Sequence, residues 1–102
     1  MIDMVLKKLN HESEIALRHL EVLQTVGANQ PIGIFKLAEV MGIPRHKIRY
    51  SLRVLEQSGM IEPTQYGAVL KEDHRKLVEN MRKDLDEVVQ RVDKMSQLIS
   101  KL

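Results

Sequence analysis

Residues 71–102 contain neither glycine nor proline, and their apolar residues alternate at spacings of three and four. Val78, Leu85, Val92 and Ile99 take one seam position of a heptad; His74, Met81, Val88, Met95 and Leu102 take the other. The spacing holds for four heptads, which predicts one long helix from about Lys71 onward. At 1.5 Å per residue such a helix is roughly 45 Å long. Alone it would leave its whole apolar seam in water, and the rest of the chain is too small to cover it. A second copy of the chain is the simplest partner. The expectation is a homodimer through Val78, Met81, Leu85, Val88, Val92, Met95, Ile99 and Leu102. Parallel pairing would set Asp84 against Val89 and Arg91 against Ser96, which supplies no opposite charges, so antiparallel pairing is at least as well supported.

The length, 102 residues, allows one small domain beside this helix. Charged residues make up 29%, which permits a modest core and argues against a deep catalytic pocket. The absence of cysteine excludes disulfides, thiol catalysis and cysteine-ligated zinc. His11, His19, His46 and His74 do not stand at metal-ligand spacing with one another or with acids. Glu12, Glu14, Asp84, Asp86 and Glu87 read as helix-surface acids, and no nucleophile sits beside a base. No enzyme, metal, cofactor or small-molecule ligand is therefore expected. Phe35, Tyr50 and Tyr66 are too few to build the stacking platforms of single-strand binders. No apolar run reaches 18 residues and no signal peptide is apparent, so no membrane contact is expected. The net charge of +2 says little about partners; its distribution says more.

Residues 1–26 show helical periodicity. Ile2, Leu6 and Leu9 share a face, and Ala16, Leu20 and Leu23 continue it beyond Asn10-His11. One long helix or two are both open, with Glu12 and Glu14 suited to the first turn of a second. Gly27-Ala28-Asn29-Gln30-Pro31 ends the segment, and Ile32 begins a very short strand. Ile34, Leu37, Ala38 and Met41 then follow a helical stripe closed by Gly42. Pro44 opens the next helix, which runs to about Ser58 with Ile48, Leu52 and Leu55 inward. Gly59 closes it. Residues 60–62 and 68–70 read as two short strands around the turn Pro63-Thr64-Gln65-Tyr66-Gly67. Met41, Met60, Met81 and Met95 lie on apolar faces as core fillers.

The chemistry concentrates in the helix from 44 to 58. Between Gly42 and Leu55 stand Arg45, His46, Lys47, Arg49 and Arg53, with no Asp or Glu. With Ile48, Leu52 and Leu55 inward, His46, Tyr50, Arg53 and Gln57 point outward, flanked by Lys47 and Arg49. The stretch LAEVMGIPRHKIRYSLRVLEQSGMIE resembles the winged helix-turn-helix signature: a Leu-Ala-Glu opening, Met-Gly-Ile at the turn, a basic second helix, then Leu-Glu-x-x-Gly-x-Ile-Glu into the wing. The resemblance spans residues 15–70, and the C-terminal helix is similar to those that dimerise small bacterial and archaeal regulators and some archaeal chromatin proteins.

That resemblance implies a mainly α fold with a small β-hairpin wing, a winged-helix DNA-binding domain over residues 1–70, and a coiled-coil dimerisation helix over 71–102. It implies a double-stranded DNA-binding transcription regulator, cytoplasmic and nucleoid-associated, with the helix of 44–58 in the major groove. Arg49 and Arg53 would reach guanine or phosphate, His46 and Tyr50 base edges or backbone, and Arg45 and Lys47 phosphates near the helix start. Winged helices of this kind commonly carry Arg or Lys at the wing tip; Thr64-Gln65-Tyr66-Gly67 carries neither. Tyr66 is then either a phosphate donor or an exposed residue of a structural hairpin. A sequence-tolerant chromatin protein and a protein-docking module are the alternative functions.

Overall fold

The computed structural model describes residues 4–102. Its elements are α1 (Lys7–Asn29), α2 (Ile34–Met41), α3 (Arg45–Gln57), β1 (Ile61–Thr64), β2 (Gly67–Leu70) and α4 (His74–Ser100). The chain divides into two compact units, Met1–Lys71 and Glu72–Leu102.

In the first unit α1 is one unbroken helix. The Asn10 N–H donates to Leu6 O, and the Ser13 hydroxyl donates to Asn10 O at 2.7 Å, so Asn10-His11 is no interruption. Glu12 and Glu14 therefore lie past the first turn, which holds no acid. Ile2 lies outside the described residues. Gly27 sits inside the helix rather than ending it. The helix stops two residues later because Gln30 precedes Pro31 and is driven to extended backbone, with φ −62° and ψ 144°. The room at Gly27 is used by packing: a Cβ there would lie 3.2 Å from Leu70 Cδ1.

The face of α1 that packs on the core differs from the stripe that periodicity picks out. Val22 and Val26 are fully buried, whereas Leu9, Leu17 and Leu20 remain exposed. The helix carries two apolar stripes, and the inward one is interrupted by Arg18 and His19, which conceal it from a hydropathy reading.

Helix α2 buries Leu37 and leaves Ile34, Ala38 and Met41 half-buried. Gly42 ends it in the left-handed region at φ 66°, and its N–H donates to Ala38 O at 2.9 Å. Pro44 caps α3 from just outside. Its carbonyl accepts from the Lys47 and Ile48 N–H groups, and its missing N–H has no intrahelical role at that position. Ile48, Ser51 and Leu55 are buried and Leu52 is half-buried. Met60 N–H donates back to Leu55 O, closing the helix across Gly59 at φ 79°.

The hairpin is longer and its turn tighter than the sequence suggests. Ile61 pairs with Leu70, Glu62 with Val69, Pro63 with Ala68 and Thr64 with Gly67, so only Gln65 and Tyr66 form the loop. Pro63 is tolerated inside β1 because of register. Both backbone groups of Ala68 are turned to the other side, where they exchange hydrogen bonds with Ile32 at 2.8 and 3.2 Å. The Pro63–Ala68 pair thus needs no proline N–H. The loop is tied by the Thr64 hydroxyl, which donates to Gly67 O and accepts from the Tyr66 N–H. Ile32, expected as a very short strand, forms a single bridge.

Gly67 is required at this junction on two counts. Its φ is 128°, and a Cβ would stand 2.5 Å from Ile32 C and 2.7 Å from Ile32 O. Both atoms are backbone and cannot swing aside.

The second unit is α4. It begins at His74, three residues later than expected, and runs 27 residues. It buries no side chain. Met81 and Met95 are half-buried, while Val78, Leu85, Val88, Val92 and Ile99 are exposed at 38 to 53%. Leu102 is placed in the heptad by spacing alone: the helix ends at Ser100, and Leu102 lies beyond its Lys101 cap. Among the described residues, no helix is long and apolar enough to cross a membrane.

Substituting Gly67→Ala is expected to destabilise the first unit by more than about 2 kcal/mol, since strained φ and a backbone collision add. Chemical denaturation followed by circular dichroism measures it; a loss below about 0.5 kcal/mol would contradict the close approach to Ile32.

Candidate nucleic-acid interface

The rotation of α3 about its own axis is set by its buried stripe. With Ile48, Ser51 and Leu55 inward, Arg45, His46, Lys47, Arg49, Tyr50 and Arg53 are all exposed. Six of the seven residues singled out for DNA contact thus share one helix. The seventh, Tyr66, stands on the wing loop and is 74% exposed. Among the described residues no acid forms an ion pair with Arg45, Lys47, Arg49 or Arg53; the pairs Lys36–Glu39 and Arg82–Asp86 lie on other helices, on exposed surfaces. The outward surface of α3 therefore keeps its positive charge unneutralised.

Two of these side chains are held by neighbours. The Arg45 guanidinium lies 4.2 Å above the centre of the Phe35 ring, a cation–π contact from α3 to α2. This explains a phenylalanine left 62% exposed on α2, and it fixes the direction of the arginine nearest the helix start. The Tyr50 ring meets the His19 imidazole of α1 at 5.5 Å between centres, tilted by 55°.

His19 belongs to a polar cluster that sequence reasoning missed. Ser51 is fully buried, and its hydroxyl oxygen accepts from Arg18 Nε at 3.3 Å. The same oxygen lies 2.8 Å from His19 Nδ1. Arg18 can only donate to that oxygen, and the tautomer of the His19 ring sets which partner donates in the second bond. The pKa of His19 is lowered from 6.5 first by burial and then by the Arg18 charge, which agrees with a neutral ring. The available signal was a serine three residues after Ile48 and four before Leu55, a polar side chain on an apolar stripe that must find a partner.

The wing carries no cation. Gln65 and Tyr66 form its tip, and Glu62 is exposed on β1. Nothing gathers three potential metal ligands among the described residues.

Two helices meeting across Gly42, a second helix turned with its basic side outward, and a hairpin directly after it make this a winged helix-turn-helix fold. The same fold is found in a solved GntR family transcriptional regulator from Listeria monocytogenes, with a TM-score of 0.59 and 19% sequence identity over 95% of this chain and 87% of that one. At that identity the likeness is one of fold. No protein-family model matches the sequence, and no curated protein matches it.

The His19 cluster gives a pH dependence of definite sign. The unfolded imidazole protonates near 6.5 and the folded one only at lower pH, so between these values the unfolded chain binds more protons. Stability contributed by the neutral ring is complete above 6.5 and is lost as pH falls through the folded pKa. Thermal melts at pH 7.5 and 5.5 should show a larger drop in Tm for the wild type than for His19→Gln. Equal drops would remove His19 as the cause.

Proposed function

We propose that the chain is a double-stranded DNA-binding transcription regulator that acts as a homodimer. Residues 1–70 bind DNA and residues 71–102 dimerise. The observation that carries the proposal is the outward surface of α3, where four cations stand with no acid paired to them. A helix of that width enters a major groove about 12 Å across. Arg49 and Arg53, on the exposed middle of α3, take guanine edges or phosphates; His46 and Tyr50 take base edges or backbone. Lys47 near the helix start takes phosphate, and so does Arg45, already oriented by Phe35. Tyr66 offers a hydroxyl to the backbone from the wing. The fold shared with a transcriptional regulator supports the same reading.

The dimer proposal rests on α4, whose seam residues Val78, Leu85, Val88, Val92 and Ile99 are exposed. Two linked recognition helices bind two half-sites, and the second binding event becomes intramolecular. That compensates for a wing without cations.

A second reading, docking onto another protein, draws on the uncharged wing tip with exposed Tyr66 and neighbouring Glu62. Fluorescence anisotropy with duplex DNA over a salt series separates the two. Contacts from cations predict a log–log slope near −0.9 per phosphate neutralised. Replacing Arg49 and Arg53 together by Ala should weaken duplex binding at least about tenfold, equivalent to about 1.4 kcal/mol or more, with the dimer intact. A wild-type protein without salt-sensitive duplex binding would favour docking. Leu85→Asp should convert the dimer to monomer in sedimentation, because it places a charge in an apolar seam. A variant that sediments as the wild type would place the interface elsewhere.

A further inference from the structure

Tyr50 and Ser51 are neighbours in sequence that face different ways. At about 100° per residue they straddle the edge of α3 that meets α1. Ser51 is fully buried on the inner stripe, and Tyr50 is 46% exposed on the outward surface. One side chain of α1, His19, touches both. Its Nδ1 lies 2.8 Å from the Ser51 hydroxyl oxygen, and its ring centre lies 5.5 Å from that of Tyr50. That separation, with the rings tilted by 55°, belongs to favourable aromatic pairs.

The imidazole is itself held. Its partner hydroxyl sits on the buried stripe of α3 and also accepts from Arg18 Nε at 3.3 Å. A ring pinned at one nitrogen by a buried group has few rotamers left, and it restricts those of the tyrosine against it.

We infer that His19 is a positioning residue for duplex recognition: from α1 it fixes the ring of Tyr50, so that a helix outside the α2–α3 pair sets how α3 reads bases. The inference rests on the DNA-binding reading and deepens it.

An exposed tyrosine loses side-chain freedom when it docks in a groove, and that loss weakens binding. Tyr50 has given up part of that freedom beforehand, against His19. Its hydroxyl is then presented in one direction. Direction matters for base edges, whose donors and acceptors differ from pair to pair, and little for phosphates, which are alike at each step. The contribution of His19 therefore falls on discrimination between sequences. It does not fall on charge. Burial first, and then the Arg18 charge, hold the imidazole below its ordinary pKa of 6.5, so the ring is uncharged at slightly alkaline pH.

Fluorescence anisotropy with two duplexes tests this, one selected from a random pool by the wild type and one of the same composition with its sequence scrambled. At slightly alkaline pH, His19→Gln should weaken binding to the selected duplex about threefold to tenfold. Binding to the scrambled duplex and the salt slope should stay as in the wild type. Tyr50→Leu should lose at least as much on the selected duplex. The double variant should match Tyr50→Leu to within about twofold, because no ring remains to be positioned. A residue that only stabilised the fold would lower binding to both duplexes alike and would add to Tyr50→Leu. Losses that add, or that are absent or equal on the two duplexes, overturn the positioning role and leave DNA binding standing. A wild type that binds no duplex overturns the DNA-binding reading and the inference with it. If His19→Gln loses helical content by circular dichroism, Ser51→Ala decides instead. It frees the imidazole while both rings remain, and should lower discrimination; unchanged discrimination there also overturns the inference.

Discussion

The burial of Ile48, Ser51 and Leu55 against the first domain is the constraint from which the rest of the molecule follows. An α-helix has one rotational degree of freedom about its axis, and these three positions remove it. Once they face inward, the five residues Arg45, His46, Lys47, Arg49 and Arg53 have no way to reach the core and must lie in solvent. Ser51 sharpens the constraint. An aliphatic residue tolerates some rotation, but a buried hydroxyl that both accepts from Arg18 and approaches His19 at 2.8 Å does not. The basic surface is therefore positioned by hydrogen bonds on its hidden side as much as by hydrophobic packing.

The same logic runs through the hairpin. Its placement depends on Ala68 turning both backbone groups to Ile32, which is possible only because Gly67 lets the two backbones meet. That exchange in turn leaves Pro63 at a position where no N–H is needed. Glycine and proline, often read as punctuation, here set strand register. Gly27 has a related use on α1, where its missing side chain admits Leu70. The domain is small, and close approach at these points substitutes for the bulk of a larger core.

Much of this was legible in the chain. The order of elements, the Gly42 turn, the inward residues of α3 and the basic outward face follow from periodicity, because that helix has one apolar stripe and one cationic side. The long α4 follows from the uninterrupted heptad spacing of residues 74–102. The reading was weaker where a helix has two apolar faces. In α1 periodicity selects Leu9, Ala16 and Leu20, whereas the core takes Val22 and Val26, since the inward stripe is broken by Arg18 and His19. Turn length was overestimated at Pro63, because its compatibility with β1 depends on which way Ala68 faces, and that is a property of a different strand pair.

What the sequence by itself determined is the set of local instructions: where helices begin and stop, which side of α3 is basic, and that the last helix carries an apolar heptad seam. These depend on neighbours within a few residues, so spacing encodes them. What only the tertiary structure decided is which of two apolar faces of α1 belongs to the core, and that Arg45 rests on Phe35 while Tyr50 rests on His19. Those two contacts join residues 10 and 31 positions apart, and hydropathy along the chain carries no information about which distant partner a side chain will find.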